Sequence, residues 1–291
     1  MKTIEVAVII VNYHSQALVC RCLDTLKQQS LHRLHCIVVD NSETPDVDLI
    51  TLRHPGTEII MAGRNLGFAG GCNLGIAKAL ERQSNYLLLL NPDTWVESDL
   101  LSPLIAELEQ TPSLGMVGPR ILYGDGSRRV WNGGGRLNWW AGGTRAILDH
   151  DADQVEMRRI NFLSGCAILL RAEAARQIGP LAEEYFLYFE DTDYVQRCIK
   201  AGWLPAYVPA AVVFHEPSSV IGDQSPRYVY YFSRNRILFT RRWGRWYHFL
   251  VFMLYNTLVK LPGALLVFGV KRRRPELVWA YFQGYWDGLR G

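Results

Sequence analysis

The sequence predicts an α/β protein built on a single mixed, mostly parallel, Rossmann-like sheet with helices on both faces. Three observations predict it. "VAVIIVN" (Val6 to Asn12), "LHCIVVDN" (Leu34 to Asn41) and "YLLLL" (Tyr86 to Leu90) are short continuous apolar runs, as expected for strands covered on both faces. Stretches with helical spacing lie between them, and alternating strands and helices imply a parallel sheet. Each run also ends on polar residues, at Asn12, at Asp40 and at Asn91-Pro92-Asp93. Ligands of open α/β sheets bind beyond the carboxyl ends of the strands, so three strands bring polar groups to one edge.

The elements follow in order. After the first strand, Leu18, Cys22, Leu23 and Leu26 repeat at helical spacing. A short strand lies near Glu58 to Met61, and a glycine-rich opening leads into a helix over Gly63 to Leu80 before the leucine strand. The middle, roughly Gly115 to Ile160, contains "WNGGGRLNWWAGGTR"; its weak periodicity reads as strands and mobile loops, suited to a lid or an acceptor contact. "INFLSGCAILLRAEAARQIG" is a strand and then a short helix. "YFLYFEDTDYVQRCIKAGW" is an aromatic lead-in to a helix, and "LPAYVPAAVVFHEPSS" is a strand ending on His215.

Bulk properties exclude several classes. At 291 residues, 49% hydrophobic and 20% charged, the chain is globular, with one large domain or two closely joined ones. A net charge of +3 is too small to argue for nucleic acid, and no nucleic-acid partner is expected. The 6 cysteines show no Cys-x-x-Cys pair or zinc-like spacing, so they read as buried reduced thiols of a cytosolic protein. The apolar run at the N-terminus is too short for a signal h-region and reads as a first strand. Trp246 to Val270 is long enough to span a bilayer, and Lys271 to Arg274 follow it. His248, Asn256, Lys260 and a break at Pro262-Gly263 favour instead an in-plane hairpin or amphipathic pair with aromatic and basic anchors. The plain alternative is a helical cap on the core or a dimer face.

Several residues can carry chemistry. "GRNLGFAGGCNLG" (Gly63 to Gly75) lacks the patterns of a P-loop or a dinucleotide fingerprint. Its glycines could admit a nucleotide, with Arg64 and Asn65 as polar contacts, or could serve a tight helix–sheet contact. Asp93, approached through the rigid Pro92, suits a hard divalent cation on a diphosphate, or the N-cap of a helix opening at Thr94 or Trp95. Glu190, Asp191 and Asp193 crowd a helix start, where the dipole tolerates anions. Desolvation there would raise a carboxylate's basicity and suit a general base. His215 could be a further metal ligand, although a lone histidine is more often structural.

Together "VIIVNYHS", "IVVDNS", "GRNLGFAGGCNLG", "LLLLNPDT", "FLYFEDTDYVQRCIKAGW", "VVFHEPSS" and "YYFSRNRILF" resemble the inverting family-2 glycosyltransferases of GT-A fold. The match is closest to the rhamnosyltransferase-like branch that builds bacterial O-antigen, capsule or cell-wall linkers. The resemblance implies a nucleotide-sugar donor bound by Asn12, Tyr13, Asp40 and Arg64 around base and ribose. Asp93 would hold Mg²⁺ or Mn²⁺ on the diphosphate, with help from His215. Asp191 would be the base, with Glu190 beside it, and Arg234-Asn235 would lie near phosphate groups. It further implies L-rhamnose from dTDP-L-rhamnose as donor sugar, with galactofuranose or a hexose as alternatives; the alternative of another class is a non-catalytic membrane adaptor. The acceptor would be a sugar on a polyprenyl diphosphate. Residues 1–225 would form the catalytic domain, with 1–100 for the nucleotide sugar and 101–225 for the acceptor. Residues 226–291 would be a helical segment holding the enzyme peripherally at the cytoplasmic face of the plasma membrane. One departure bears on metal affinity: Asn91 stands where many members carry the first acid of Asp-x-Asp.

Overall fold

A computed structural model describes residues 4–29, 33–148, 160–216 and 225–291. Pro217 to Ser219 of the "VVFHEPSS" motif lie outside these described residues. The strands are β1 (Glu5–Asn12), β2 (Arg33–Asp40), β3 (Glu58–Met61), β4 (Tyr86–Leu90), β5 (Thr94–Trp95), β6 (Leu114–Tyr123), β7 (Val130–Asn132), β8 (Gly135–Asn138), β9 (Gly143–Ala146), β10 (Ala167–Arg171) and β11 (Leu204–His215). The helices used below are α1 (Gln16–Leu26), α2 (Asp48–Arg53), α3 (Gly67–Glu81), α4 (Leu101–Gln110), α5 (Ala172–Ile178), α6 (Glu190–Lys200) and α7 (Pro226–Trp243).

The main sheet runs β3-β2-β1-β4-β10-β6-β11-β5, with β7 beside β6. β1, β2, β3 and β4 are mutually parallel and in register, so that Asn12 lies opposite Asp40. β10 enters antiparallel between β4 and β6, and β5 closes antiparallel on β11. The sheet is therefore mixed and mostly parallel, as expected. Alternation along each strand divides the core in two. Val6, Val8, Ile10, Leu88 and Leu90 join Val19, Leu23, Leu104 and Leu108, placing α1 and α4 on one face. Ala7, Ile9, Val11, Leu87 and Leu89 join Cys72, Ile76, Tyr194 and Val195, placing α3 and α6 on the other. The leucine run of β4 is fully buried, and each such side chain contributes about 1.5–3 kcal/mol.

The glycines of α3 serve close packing. A Cβ on Gly75 would come within 2.3 Å of Ile9, and one on Gly71 within 2.8 Å of Val11. Thus α3 lies nearer the sheet than a side chain would permit. Of the 6 cysteines all are unpaired, and 5 are buried. The region expected to hold strands and mobile loops contains β6, β7, β8 and β9 over much of its described length. Sheet pairing and the β8–β9 hairpin order it despite the weak periodicity.

The chain divides into two compact units. The larger runs to Gly135, resumes over Ala146–Phe186 and again from Glu190; the smaller holds Arg136–Arg145, Leu187–Phe189 and α7 onward to Gly291. In the smaller unit Trp139, at the tip of the β8–β9 hairpin, stacks on Phe239 and His248 at 5.9 Å each. Arg236 fixes the same tip by donating to the Ala141 and Gly142 carbonyls at 3.0 and 2.9 Å. One sequence expectation fails here. Pro262-Gly263 does not break the tail; Trp246–Lys271 is one helical run of 26 residues that contains an 18-residue window of mean hydropathy 1.7, long and apolar enough to cross a membrane. Turns of π type at Asn256–Lys260 and Leu265–Lys271 flank the proline. They widen the ladder on either side of the bond it cannot make. The chain reverses only at Arg272 to Arg274, before a final helix, Pro275–Arg290.

Candidate active site

Two strand ends build the first corner. Asn12 and Asp40 are fully buried, and the Asn12 amide donates to Asp40 Oδ1 at 3.0 Å and to the Asp46 carbonyl at 2.8 Å. Asn12 Oδ1 accepts from the Ser15 backbone and hydroxyl at 3.1 and 3.0 Å. Asp40 accepts backbone N–H groups of Ser42 at 3.2 Å and Asp46 at 3.0 Å, which folds residues 41–46 over the strand ends. Asn12 is thereby an organiser of Asp40 and its turn. Tyr13 is half-buried beside it, and Arg64 is exposed just before α3. Asn65 forms a side-chain turn at the entrance to that helix, its Oδ1 accepting from the Gly67 N–H at 2.9 Å.

Asp93 lies in the turn between β4 and β5. Thr94 and Trp95 form a strand, so Asp93 caps no helix there. Pairing of β5 with β11 sets His215 opposite Thr94, and the Glu216 N–H donates to the Asp93 carbonyl at 3.0 Å. The result is a buried pair, with His215 Nε2 3.3 Å from Asp93 Oδ1. Trp131 packs on the imidazole at 4.5 Å, edge to face. Its Nδ1 is buried with no hydrogen-bond partner among the described residues. An oxygen donor and a nitrogen donor converging in a buried corner fit a divalent cation. No cluster of three or more acids, histidines or cysteines does so among the described residues, so a metal here would draw its other ligands from beyond those residues.

The third corner is the start of α6. Glu190, Asp191 and Asp193 all occupy its first turn. They then divide. Asp193 is fully buried and pairs with Arg197 at 2.8 Å, a helix-stabilising role. Asp191 is half-buried and held by the backbone: Oδ2 accepts the Gly165 N–H at 2.8 Å, and Oδ1 accepts Thr192 N–H at 2.5 Å and its hydroxyl at 3.0 Å. Burial raises the Asp191 pKa above the ordinary carboxylate value, and these hydrogen bonds partly oppose it. Glu190 is 5% exposed, with Oε2 buried and without a hydrogen-bond partner among the described residues. Burial first, and the charge of Asp191 second, push its pKa well up.

One backbone stretch ties the second and third corners together. Gly165 holds Asp191, while the carbonyl of the next residue, Cys166, accepts the Asn91 N–H at 2.9 Å. A Cβ on Gly165 would meet Asp191 Cβ at 3.1 Å, tight enough that Asp191 would have to give by a few tenths of an ångström. Ahead of α6 the backbone is strained: Phe186, Tyr188 and Phe189 have φ of 62, 67 and 72°. Such values are outliers for bulky residues and concentrate at functional sites. In the smaller unit Asn235 steadies this run, its amide donating to the Leu187 and Tyr188 carbonyls at 2.8 Å each. Arg234 donates to Asn235 Oδ1 at 2.8 Å. Sequence reasoning missed Gly165, Thr192, Asp46 and the anchoring role of Asn235; only the "SGC" before β10 offered a signal.

A mixed sheet with buried acids at one helix start and polar groups beyond three strand ends defines an α/β protein that gathers its polar groups at one sheet edge, where such folds bind ligands. The chain belongs to glycosyl transferase family 2, whose model matches residues 7–179. It is 28% identical, over 69% of its length and 73% of the relative's, to N-acetylglucosaminyl-diphospho-decaprenol L-rhamnosyltransferase of Mycobacterium tuberculosis. It is 23% identical to dTDP-rhamnosyl transferase RfbF of Shigella flexneri over 97% of this chain and 95% of that one. The crystal structure of GalNAc-T7 with UDP, GalNAc and Mn²⁺ superposes with TM-score 0.65 at 14% identity. That match covers 84% of this chain, which spans about half, 49%, of the solved one. The chain is a glycosyltransferase of GT-A fold.

Proposed function

We propose that this glycosyltransferase moves L-rhamnose from dTDP-L-rhamnose to a hydroxyl of a polyprenyl-diphosphate-linked sugar such as GlcNAc, with inversion. The observation that carries it is Asp191: a half-buried carboxylate of raised proton affinity, fixed by Gly165 and Thr192 on the segment that also holds the Asp93 strand end. The two rhamnosyltransferase relatives support the choice of sugar.

In this reading Asp191 takes the proton of the acceptor hydroxyl as its oxygen bonds to the anomeric carbon. The bond from that carbon to the diphosphate oxygen breaks, and the electron pair leaves with dTDP. Asp40, held by Asn12, and Tyr13 and Arg64 border the base and ribose. Asp93 and His215 would hold Mg²⁺ or Mn²⁺, which neutralises charge on the leaving diphosphate. Asn235 holds the carbonyls just before Glu190, and Arg234 supplies positive charge toward phosphate. Residues 1–100 bind donor and 101–225 face acceptor. Residues 226–291 bring the enzyme to the cytoplasmic face of the plasma membrane.

The test is transfer of labelled rhamnose from dTDP-rhamnose to a lipid-diphosphate GlcNAc, with Mn²⁺ or with chelator. Asp191→Asn is expected to lose about 10²–10⁴-fold in rate while dTDP binding stays within a few-fold of wild type. Transfer only from another nucleotide sugar would replace the rhamnose assignment. Full activity of Asp191→Asn would remove the base.

A further inference from the structure

The long helix Trp246–Lys271 and the final helix flank an open apolar groove of about 500 Å³, lined by Leu265, Gly269, Pro275, Val278, Trp279 and Phe282. Sugar transfer makes no use of it. The groove opens onto an exposed apolar surface, with Leu266 50%, Trp279 62% and Trp286 48% accessible. At its end is the turn joining the two helices, Lys271-Arg272-Arg273-Arg274. Arg274 is engaged with Glu276 at 2.8 Å, while Lys271, Arg272 and Arg273 are exposed. The N-terminal end of the final helix adds its positive dipole to the same field.

A trough of carbon ending at three exposed cations complements one kind of molecule, an amphiphile with a hydrocarbon chain and an anionic head. We propose that the groove takes one acyl chain of an anionic membrane phospholipid, and that Lys271, Arg272 and Arg273 hold its phosphodiester. A partner helix would need successive places for residues at i, i+4 and i+7, more than this short trough provides. The exposed tryptophans around it suit the depth at which headgroups meet chains. The inference rests on the tail reaching a bilayer and goes beyond that by assigning it a lipid site.

Gly269 offers a way to close the groove alone. Among the described residues a Cβ there meets only Val278, at an ordinary 3.6 Å, so Gly269→Leu puts a side chain into the trough without moving backbone. The full chain is incubated with phosphatidylcholine vesicles, with or without phosphatidylglycerol carrying a photoactivatable acyl chain. Flotation reads membrane binding, and peptide mapping reads the crosslink. The expected result is labelling within residues 265–282 that falls severalfold in Gly269→Leu while flotation is kept. Neutralising Lys271, Arg272 and Arg273 to glutamine is expected to abolish the preference for phosphatidylglycerol over a phosphatidylcholine bearing the same probe. Flotation with labelling elsewhere, or labelling unchanged in Gly269→Leu, overturns the groove assignment but leaves the membrane reading. Equal labelling by both headgroups, or competition by a polyprenyl phosphate alone, overturns the choice of ligand. A chain that floats with neither vesicle overturns both readings.

Discussion

At Asp191 burial and hydrogen bonding oppose one another, and the balance sets where the proposed base is active. Burial raises its pKa; the Gly165 and Thr192 bonds favour the ionised form and lower it. Removing the Thr192 hydroxyl removes one lowering influence, so the pKa of Thr192→Ala rises further. A base must be ionised to accept a proton, so the acid limb of kcat/KM is expected to move to higher pH, with the rate above the limb little changed. Loss at every pH would mean that Thr192 acts by placement alone. Glu190 gives a stability prediction of definite sign. Its folded pKa lies well above the ordinary 4.5, so the folded state retains a proton that the unfolded chain has lost. Its stabilising contribution is complete below the unfolded pKa and is lost as pH rises through the folded one. Glu190→Gln is therefore expected to raise Tm at neutral pH, with the advantage shrinking toward pH 4, about the unfolded carboxyl range. A constant difference across pH would show that Glu190 is ionised in the folded protein.

At the scale of elements, the passage from β3 into the first residue of α3 supplies a controlled comparison. Gly63 and Gly67 have φ of 70 and 71°, so alanine at either takes the left-handed penalty of about 1–2 kcal/mol. Among the described residues nothing lies within 4 Å of a Cβ on Gly63, whereas one on Gly67 would come within 2.3 Å of the Phe186 carbonyl. Gly67→Ala is expected to lower the urea midpoint clearly more than Gly63→Ala, because the Phe68 N–H to Phe186 carbonyl bond at 2.8 Å must also yield. Equal losses would place the whole cost in φ. This contact also shows what a sequence leaves unsaid. The strand runs ending at Asn12, Asp40 and Leu90 were legible because burial on both faces demands unbroken apolar residues. The antiparallel insertion of β10 was not, since an apolar strand carries no mark of its direction. The closeness of Asp93 and His215 depends on β5, two residues long, pairing across to β11. Nor could spacing reveal that Asn12, Asn65 and Asn235 direct their amides inward to hold turns, or that Asp193 leaves the acid cluster to pair with Arg197. A proline and a glycine in succession suggested a helix break, but π-type turns absorbed both.

For the molecule as a whole, the family model covers residues 7–179 while the match to RfbF extends over 97% of the chain, so the tail recurs in a relative with the catalytic core. Two modes of membrane contact fit a 26-residue apolar helix, and they separate on charge. At 1.5 Å per residue the run is roughly 39 Å long, more than the ~30 Å of hydrocarbon needs. A span, however, would set Lys260 near the bilayer centre, at about 2.5–3.5 kcal/mol. Lys260 is exposed, its ammonium 5.5 Å from the Tyr255 ring, whereas Asn256 is buried and accepts from Tyr281 of the final helix at 2.9 Å. In-plane binding leaves Lys260 at the headgroups and requires no such burial. Membranes bearing the full chain are therefore expected to release it on washing with alkaline carbonate, and high salt alone is expected to release only a part. Salt shortens the reach of the arginine charges from ~10 Å at 0.1 M to ~3 Å at 1 M but leaves the apolar face bound. Lys260→Leu removes the charge that opposes insertion, so its carbonate-resistant fraction should rise above that of wild type. Wild-type protein that resists carbonate as fully as the leucine variant would establish a span instead.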